Sequence, residues 1–400
     1  MINDFDFFLN TKFIFAHNAE DRVGSEMALS GITKVLIHHD SGDYLETSGL
    51  LKRVRSSLTE AGVEYIELGG VQPNPRLSLV REGIVLAKTK NIEGVIAIGG
   101  GSVIDSAKAI ALGAASETDV WNFFLNNAKP KNSLPVGAIV TLPASGSESS
   151  KVVVINNGET HQKLLLSDPI VRPRFAFMNP ALTTTVPTFP TACGIVDMFS
   201  HVCERYFNDD YNWGVADRMC EGVLRTLVDV GARCIHAPED YNLRAELMWI
   251  SSLAQNNTLS IGRDEDWVTH ILANEISALY DTPHGATLSI IMGSWMRVAA
   301  GKNPRRFVRY AQKVFDIEPG VIPKTEKEEF EIAQKGILAT EAFFKSLGMP
   351  TSFSEARLPV DGIEKMLNRI TFYGENRTIG SVAKLSRSDC FNIFKLASHK

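Results

Sequence analysis

Short, nearly uninterrupted apolar runs alternate with amphipathic stretches along residues 1–180. Such runs are typical of parallel strands that helices cover on both faces. The predicted strands are residues 34–40, 64–68, 94–98 and 136–140. The pattern therefore predicts an α/β domain over residues 1–180, with a sheet of the nucleotide-binding type.

Residues 152–166 break this alternation. Two apolar runs, 152–155 and 164–166, flank the sequence Asn156-Asn157-Gly158. An Asn-Gly pair favours the tight turn that joins two antiparallel strands. We therefore expect a β-hairpin closed by an Asn-Gly turn.

Helical periodicity dominates beyond the proline-containing stretch 179–190, because apolar residues recur there at three- and four-residue spacing. The predicted helices are residues 191–206, 212–235, 242–256, 284–299, 326–347 and 384–397. We expect an all-helical domain over residues 181–400. Two such domains would leave a cleft between them, where ligands commonly bind.

Composition and charge exclude some classes of binding partner and location. The 41 Lys and Arg residues against 46 Asp and Glu give a net charge of −5, and no basic block could neutralise a run of phosphates. Nucleic acid is therefore not an expected partner. No apolar run approaches the ~18–20 residues of a membrane span, and the first residues are acidic where a signal peptide would be basic. We expect no membrane association and a cytoplasmic location.

A glycine loop follows the third predicted strand. Gly99, Gly100 and Gly101 precede Ser102 and a stretch with good helix-forming residues. Three glycines let the backbone approach a pyrophosphate, and the helix presents free N–H groups to it. Ser102 is placed to cap that helix, with Asp105 in the reciprocal position. The spacing is not the Rossmann fingerprint, so a plain glycine turn remains an alternative.

Asp40, at the carboxyl end of an early predicted strand, is a second candidate for a nucleotide contact. An acid at this position can accept hydrogen bonds from ribose hydroxyls and repels a 2′-phosphate. The sequence Asp40-Ser41-Gly42-Asp43 is also ordinary turn chemistry, so a solvated turn acid is the alternative.

Four side chains form a candidate metal site. Asp197 and His201 are four residues apart on one predicted helix face, while His270 and His284 follow downstream. One carboxylate and three imidazoles suit a borderline divalent ion such as Fe²⁺ or Zn²⁺. Taken singly, these residues are more often helix-surface pairs or buried core histidines, so the metal interpretation requires all four together.

These features coincide with a known pattern. The sequence resembles the iron-containing (group III) alcohol dehydrogenases, and within them the branch of butanol dehydrogenases and broad-specificity aldehyde reductases. The segments that carry the resemblance are residues 99–105, 145–148, 179–180, 194–197 with His201, 241–249, 283–288 and 373–376. It implies a dinucleotide-binding α/β domain, an all-helical metal-binding domain in a dehydroquinate-synthase-like architecture, and a homodimer.

The resemblance also implies roles for particular residues. By position, Asp197, His201, His270 and His284 would be the metal ligands. Ser102 and the three glycines would hold the pyrophosphate. Thr141 and Ser147 would line the cofactor cleft, and Lys163 would approach the nicotinamide ribose.

Two positions depart from the family pattern. Asn274 stands where a second histidine commonly follows the third ligand, and an amide cannot act as a general acid or base. Asp40 and Asp43 stand where this branch carries a glycine-rich segment that binds the 2′-phosphate of NADP. Two acids would repel that phosphate, so we favour NAD over NADP.

The expected reaction is reversible hydride transfer between a primary alcohol or aldehyde and nicotinamide, with a divalent metal as Lewis acid. A dehydroquinate-synthase-like lyase that uses NAD and a metal is one alternative. It would need a phosphate-binding cluster of Lys and Arg and a Glu/His/His ligand set, which the sequence does not show. A catalytically impaired metal- or nucleotide-binding relative is the other alternative, because of Asn274.

Overall fold

The computed structural model describes residues 2–160, 162–210, 214–374 and 377–398. The chain forms two compact units. One comprises Phe8–Thr185, and the other comprises Met1–Phe7 with Val186–Lys400. Glu375 and Asn376, which belong to one of the family-like segments, lie outside the described residues.

The first unit is built on a six-stranded parallel sheet. Its strands, with those of a separate hairpin, are β1 Lys12–Phe15, β2 Lys34–Asp40, β3 Glu64–Val71, β4 Gly94–Gly99, β5 Val136–Val140, β6 Val152–Asn157, β7 Gln162–Ser167 and β8 Phe175–Met178. Its helices are α1 Val23–Leu29, α2 Tyr44–Thr47, α3 Leu50–Glu60, α4 Leu77–Thr89, α5 Gly101–Ala114 and α6 Trp121–Phe124. The four predicted parallel strands are confirmed.

The strand order of the sheet includes a switch point. The order is β1-β8-β5-β4-β2-β3, so the chain runs outward from β2 to β3 and then returns to the other side of β2 at β4. The connections after β2 and β4 therefore lead in opposite directions. In open parallel sheets, ligands bind outside the carboxyl ends of strands at such a switch point. Asp40 and the glycine loop both lie there.

The predicted hairpin is confirmed, but its predicted turn is wrong. Asn156 and Asn157 are the last paired residues of β6, opposite Lys163 and Gln162, so the Asn-Gly pair does not form the two central residues of a tight turn. Instead, the Asn157 side-chain oxygen accepts a hydrogen bond from the Glu159 amide at 3.0 Å. This side-chain acceptor starts a longer connection, which the Asn-Gly signal alone does not reveal.

Among its described residues, the regular elements of the second unit are helices, apart from isolated β-bridges. Its helices are α7 Thr188–Tyr206, α8 Val215–His236, α9 Tyr241–Gln255, α10 Val268–Tyr280, α11 His284–Lys302, α12 Pro304–Val314, α13 Glu326–Ser346, α14 Ile363–Leu367 and α15 Arg387–Ser398. Residues 212 and 213, the predicted start of the second helix, lie outside the described residues. Within the described part of the chain, no helix is long and apolar enough to cross a membrane.

The core of the second unit surrounds α7 and α11. Both helices carry apolar residues around most of their circumference, and Phe199, Ile290 and Met292 are fully buried. A helix that is apolar on nearly every side is stable only when other helices enclose it. Asp197 and His201 therefore project from a rigid, enclosed element.

His38, on the interior strand β2, is expected to make the stability of the fold depend on pH. It is fully buried, with Nδ1 2.7 Å from the Leu68 carbonyl and Nε2 2.8 Å from Ser106 Oγ. Burial lowers its pKa from 6.5 to about 4. The fold thus favours neutral His38, and the contribution present above pH 6.5 is lost as the pH falls toward 4, by about 3 kcal/mol.

His38→Gln should therefore lose less unfolding free energy between pH 7 and pH 4 than the wild-type protein does. Urea unfolding at a series of pH values measures this difference. His17→Gln, a substitution of an exposed histidine, should keep the wild-type slope. Equal slopes for the wild type and His38→Gln would show that His38 does not cause the pH dependence.

Candidate active site

Three helices bring the four predicted metal ligands together. α7 carries Asp197 and His201, α10 carries His270, and His284 begins α11. A Cβ on Gly285 would lie only 2.2 Å from the Cys193 carbonyl oxygen, so a glycine is required for α11 to approach α7 this closely. This approach positions His284 near Asp197.

The three imidazoles surround one oxygen of Asp197, and the ligand atoms of Asp197, His201 and His270 all lie within 4.8 Å of one another. Asp197 Oδ1 lies 3.7 Å from His201 Nε2, 3.8 Å from His270 Nε2 and 3.8 Å from His284 Nε2. Asp197 Oδ1 and His270 Nε2 are buried without a hydrogen-bond partner. Ligand atoms about 2.1 Å from a tetrahedral ion are ~3.4 Å apart, so these separations fit an ion between them. The donor set and its unpaired buried atoms therefore suit a divalent metal.

The surroundings set the charge of the imidazoles. Burial, together with nearby His270 and Arg205, lowers the pKa of His201 well below its usual value, so this ring is neutral, as a metal ligand must be. Burial also lowers the pKa of His270, but the carboxylates of Asp197 and Glu204 outweigh burial and raise it. His270 is therefore the ring most strongly held by acids.

Glu204 holds His270 in place, a role that the sequence analysis missed. Its Oε1 accepts hydrogen bonds from the His270 amide at 3.0 Å, from His270 Nδ1 at 2.9 Å and from Thr269 Oγ1. A carboxylate at Nδ1 favours the tautomer whose Nε2 lone pair is free for a metal. The signal was present in the sequence, because Glu204 follows Asp197 by seven residues and His201 by three on one helix face.

Trp267 packs against two imidazoles of the candidate metal site, and no sequence pattern identifies it. Its ring centroid lies 5.1 Å from that of His270 and 6.1 Å from that of His201. The Arg205 guanidinium lies over the Trp267 ring, 4.9 Å from the ring centroid. Trp267 has a φ of 64°, a left-handed conformation that is uncommon for a bulky residue and is often found at functional sites.

The predicted pyrophosphate site has a different helix cap from the one expected. α5 begins at Gly101, and its N-cap residue is Gly100, with no side-chain cap. The prediction that Ser102 caps the helix is therefore wrong, because Ser102 already lies inside the first turn. The glycines remain necessary, since a Cβ on Gly101 would lie 2.2 Å from Ser145 Oγ. A helix N-terminus without a side-chain cap leaves backbone N–H groups available to an anion.

Asp105 and Ser147 lie together and support the loop after β5. Asp105 Oδ1 accepts from Ser147 Oγ at 2.5 Å, and Oδ2 accepts from the Val154 amide at 2.9 Å. Buried Lys108 donates to Ser147 Oγ at 2.7 Å, and burial lowers its pKa to about 8. Asp105 is thus not the reciprocal partner of a Ser102 cap. It fixes the loop that carries Ser147.

The remaining predicted cofactor contacts fall into two places. Asp40 and Thr141 meet through the hydroxyl of Tyr44, at the carboxyl ends of β2 and β5. Lys163, on β7 of the hairpin, donates to Asn74 Oδ1 at 3.2 Å. The structure thus groups Asp40, Thr141 and the glycine loop at the switch point, with Lys163 on the separate hairpin.

The fold and these two sites suit an enzyme that uses a dinucleotide cofactor and a divalent metal. Comparison with known families agrees. The family "Iron-containing alcohol dehydrogenase" matches residues 10–180, and "Fe-containing alcohol dehydrogenase family, C-terminal" matches residues 191–398. The chain belongs to the iron-containing alcohol dehydrogenase family.

Individual relatives are similar over their full lengths. A probable NADH-dependent butanol dehydrogenase 1 of Bacillus subtilis is 37% identical, covering 98% of this chain and 99% of the relative. The NADPH-dependent aldehyde reductase YqhD of Escherichia coli is 32% identical, covering 94% and 97%. The crystal structure of NADH-dependent butanol dehydrogenase A from Thermotoga maritima superposes with a TM-score of 0.92 at 34% identity, covering 99% of each chain. The predicted family and architecture are confirmed.

Proposed function

We propose that this protein is a metal-dependent, NAD(P)-linked alcohol dehydrogenase and aldehyde reductase. The reaction is reversible hydride transfer between a primary alcohol or aldehyde and the nicotinamide ring. The convergence of three imidazole nitrogens on Asp197 Oδ1 carries the proposal, because this donor set, buried at Asp197, His201 and His270, suits a catalytic divalent ion. The names of the butanol dehydrogenase and aldehyde reductase relatives support the substrate class.

Different residues of the chain have different roles in the proposed reaction. A divalent ion, Fe²⁺ or Zn²⁺, supplies Lewis acidity toward the substrate oxygen when it is bound. Asp197 partly neutralises the charge of that ion, and Glu204 keeps the His270 ring oriented. The uncapped N-terminus of α5 binds the pyrophosphate of the cofactor. Asn274 cannot relay a proton, so any proton relay uses water, the cofactor ribose or another group.

We propose NAD rather than NADP as the preferred cofactor. Asp40 lies at the switch point, where its carboxylate can accept hydrogen bonds from ribose hydroxyls and repels a phosphate.

A homodimer and a cytoplasmic location remain predictions from the resemblance and the composition, to be checked by light scattering and by cell fractionation.

Asp40→Ser should shift the preference toward NADPH. Removing one like charge near a bound phosphate is worth about tenfold in affinity, so the ratio of kcat/KM for NADPH to that for NADH should rise about tenfold. Asp229→Ser is the matched control, since it removes an exposed acid on α8, outside the segment that carries Asp40. A similar change in both variants would show that general charge, not the position of Asp40, sets the preference.

The experiment that tests the function combines metal analysis with a turnover assay. The purified protein, loaded with Fe²⁺ or Zn²⁺, should oxidise NADH in the presence of small aldehydes, and chelation should abolish that oxidation. A lyase would leave the NADH concentration unchanged, and an impaired relative would bind NADH without oxidising it. Either result, or full turnover without metal, would refute the proposal.

A further inference from the structure

Tyr44 lies at the switch point of the sheet, beside the predicted ribose contact. β2 ends at Asp40, and the Gly42 amide donates to Asp40 Oδ1 at 2.8 Å, which turns the chain back on itself. A Cβ on Gly42 would lie 2.6 Å from the Tyr44 ring, so the glycine lets the ring pack against the backbone. Tyr44 therefore begins α2 with its side chain close to the end of β2.

The hydroxyl of Tyr44 bridges two strands that are not neighbours. It donates to Asp40 Oδ2 at 2.9 Å and lies 3.2 Å from Thr141 Oγ1. Asp40 ends β2 and Thr141 follows β5, with β4 and its final residue Gly99 between them. Because neighbouring strands are about 4.8 Å apart, this bridge crosses the carboxyl end of β4, where the glycine loop begins.

Two hydrogen bonds fix the orientation of the Asp40 carboxylate. Each of its oxygens accepts one hydrogen bond, Oδ1 from Gly42 and Oδ2 from Tyr44. Burial raises the pKa of the Tyr44 hydroxyl, so this group stays a protonated donor. The Tyr44 residue is nevertheless 40% exposed, which leaves it accessible to a ligand in the crevice.

We propose that Tyr44 is a specificity-determining residue that positions Asp40 to select NAD over NADP, a role that rests on the proposed function. The remaining lone pairs of the oriented carboxylate accept a hydrogen bond from the 2′-hydroxyl of the adenosine ribose. A 2′-phosphate instead meets the negative carboxylate, while the nearest hydroxyl proton is already donated to Asp40. Tyr44 thus acts through Asp40, because its hydroxyl orients the charged carboxylate.

Tyr44→Phe tests this role, because it removes only the hydroxyl. NADH and NADPH are titrated into the metal-loaded enzyme without substrate, and binding is followed by cofactor fluorescence. The Kd for NADH should rise about five- to tenfold, within the range of one ordinary hydrogen bond, because a misoriented Asp40 binds the ribose less well, while the Kd for NADPH changes less than twofold. Tyr65→Phe, at the amino end of β3, is the matched control and should leave both values unchanged.

A double-variant cycle separates positioning from a structural effect. In the Asp40→Ser background, Tyr44→Phe should change the Kd for NADH less than twofold, because the acid that it orients is gone. Equal weakening of NADH and NADPH binding, tighter NADH binding, or full additivity with Asp40→Ser would overturn the proposal. Failure of the wild-type enzyme to bind NADH would overturn the proposed function and, with it, this role of Tyr44.

Discussion

His284→Ala should lose bound metal and turnover while NADH binding persists. His284 Nε2 lies 3.8 Å from Asp197 Oδ1, so its removal takes one of three nitrogen donors from the site. Loss of a direct ligand should weaken metal binding by more than the ~10–100-fold typical of residues that only hold ligands in place. The His284 side chain is 28% exposed, so truncation should leave little buried cavity and the fold intact.

Metal analysis after gel filtration, together with an NADH fluorescence titration, measures both parts of this prediction. His236→Ala removes an exposed imidazole at the end of α8 and should retain metal, turnover and NADH affinity. Full metal content in His284→Ala would remove this histidine from the ligand set. Loss of NADH binding would instead show that the substitution disturbs the protein beyond the metal site.

The candidate metal ligands can be found in part from the sequence because helix geometry is regular. A four-residue spacing on a helix places Asp197 and His201 on one face, whatever the tertiary structure is. His270 and His284 came from the family resemblance together with their chemistry, since no local rule links separate helices. Their meeting with Asp197 depends on the close approach at Gly285, which is a tertiary contact.

The errors at the glycine loop and the hairpin have a common cause. Ser102 and the pair Asn157-Gly158 are strong local signals for a helix cap and a tight turn. In the structure, the sheet fixes the backbone at both places. The observed helix cap and the observed turn therefore lie one or two residues away from the predicted positions. Gly100 caps α5, and Asn157 remains paired with Gln162 in the hairpin. Local propensity thus located these features without fixing their boundaries.

The helix α12, at Pro304–Val314, has no counterpart among the predicted helices. Four of its eleven residues are Arg or Lys, although six residues are buried, among them Arg306, Phe307 and Tyr310. The contacts of Trp267 were equally inaccessible, since its left-handed backbone and its packing on two imidazoles arise only in the folded chain. Residues that support a site through tertiary contacts leave weaker sequence patterns than the ligands do.

Glu204→Gln should weaken metal binding while leaving the ligand set complete. Glu204 is fully buried, and its Oε1 accepts three hydrogen bonds, two of them from His270. Glutamine keeps the volume but removes the negative charge that holds the His270 ring and makes it a stronger donor. Such losses lower metal affinity or activity by ~10–100-fold.

The metal-free enzyme can be titrated with Co²⁺, whose visible absorbance reports the geometry of the ligands directly and without turnover. Glu204→Gln should need a 10- to 100-fold higher free Co²⁺ concentration for half saturation, about the range for such supporting residues. Its bound spectrum should also differ from that of the wild type, because His270 is held less firmly. Glu246→Gln, on the exposed face of α9, makes the same chemical change and should match the wild type. Unchanged Co²⁺ affinity and spectrum in Glu204→Gln would mean that the helix backbone alone orients His270, and that the buried carboxylate serves only to satisfy Thr269 and the His270 amide.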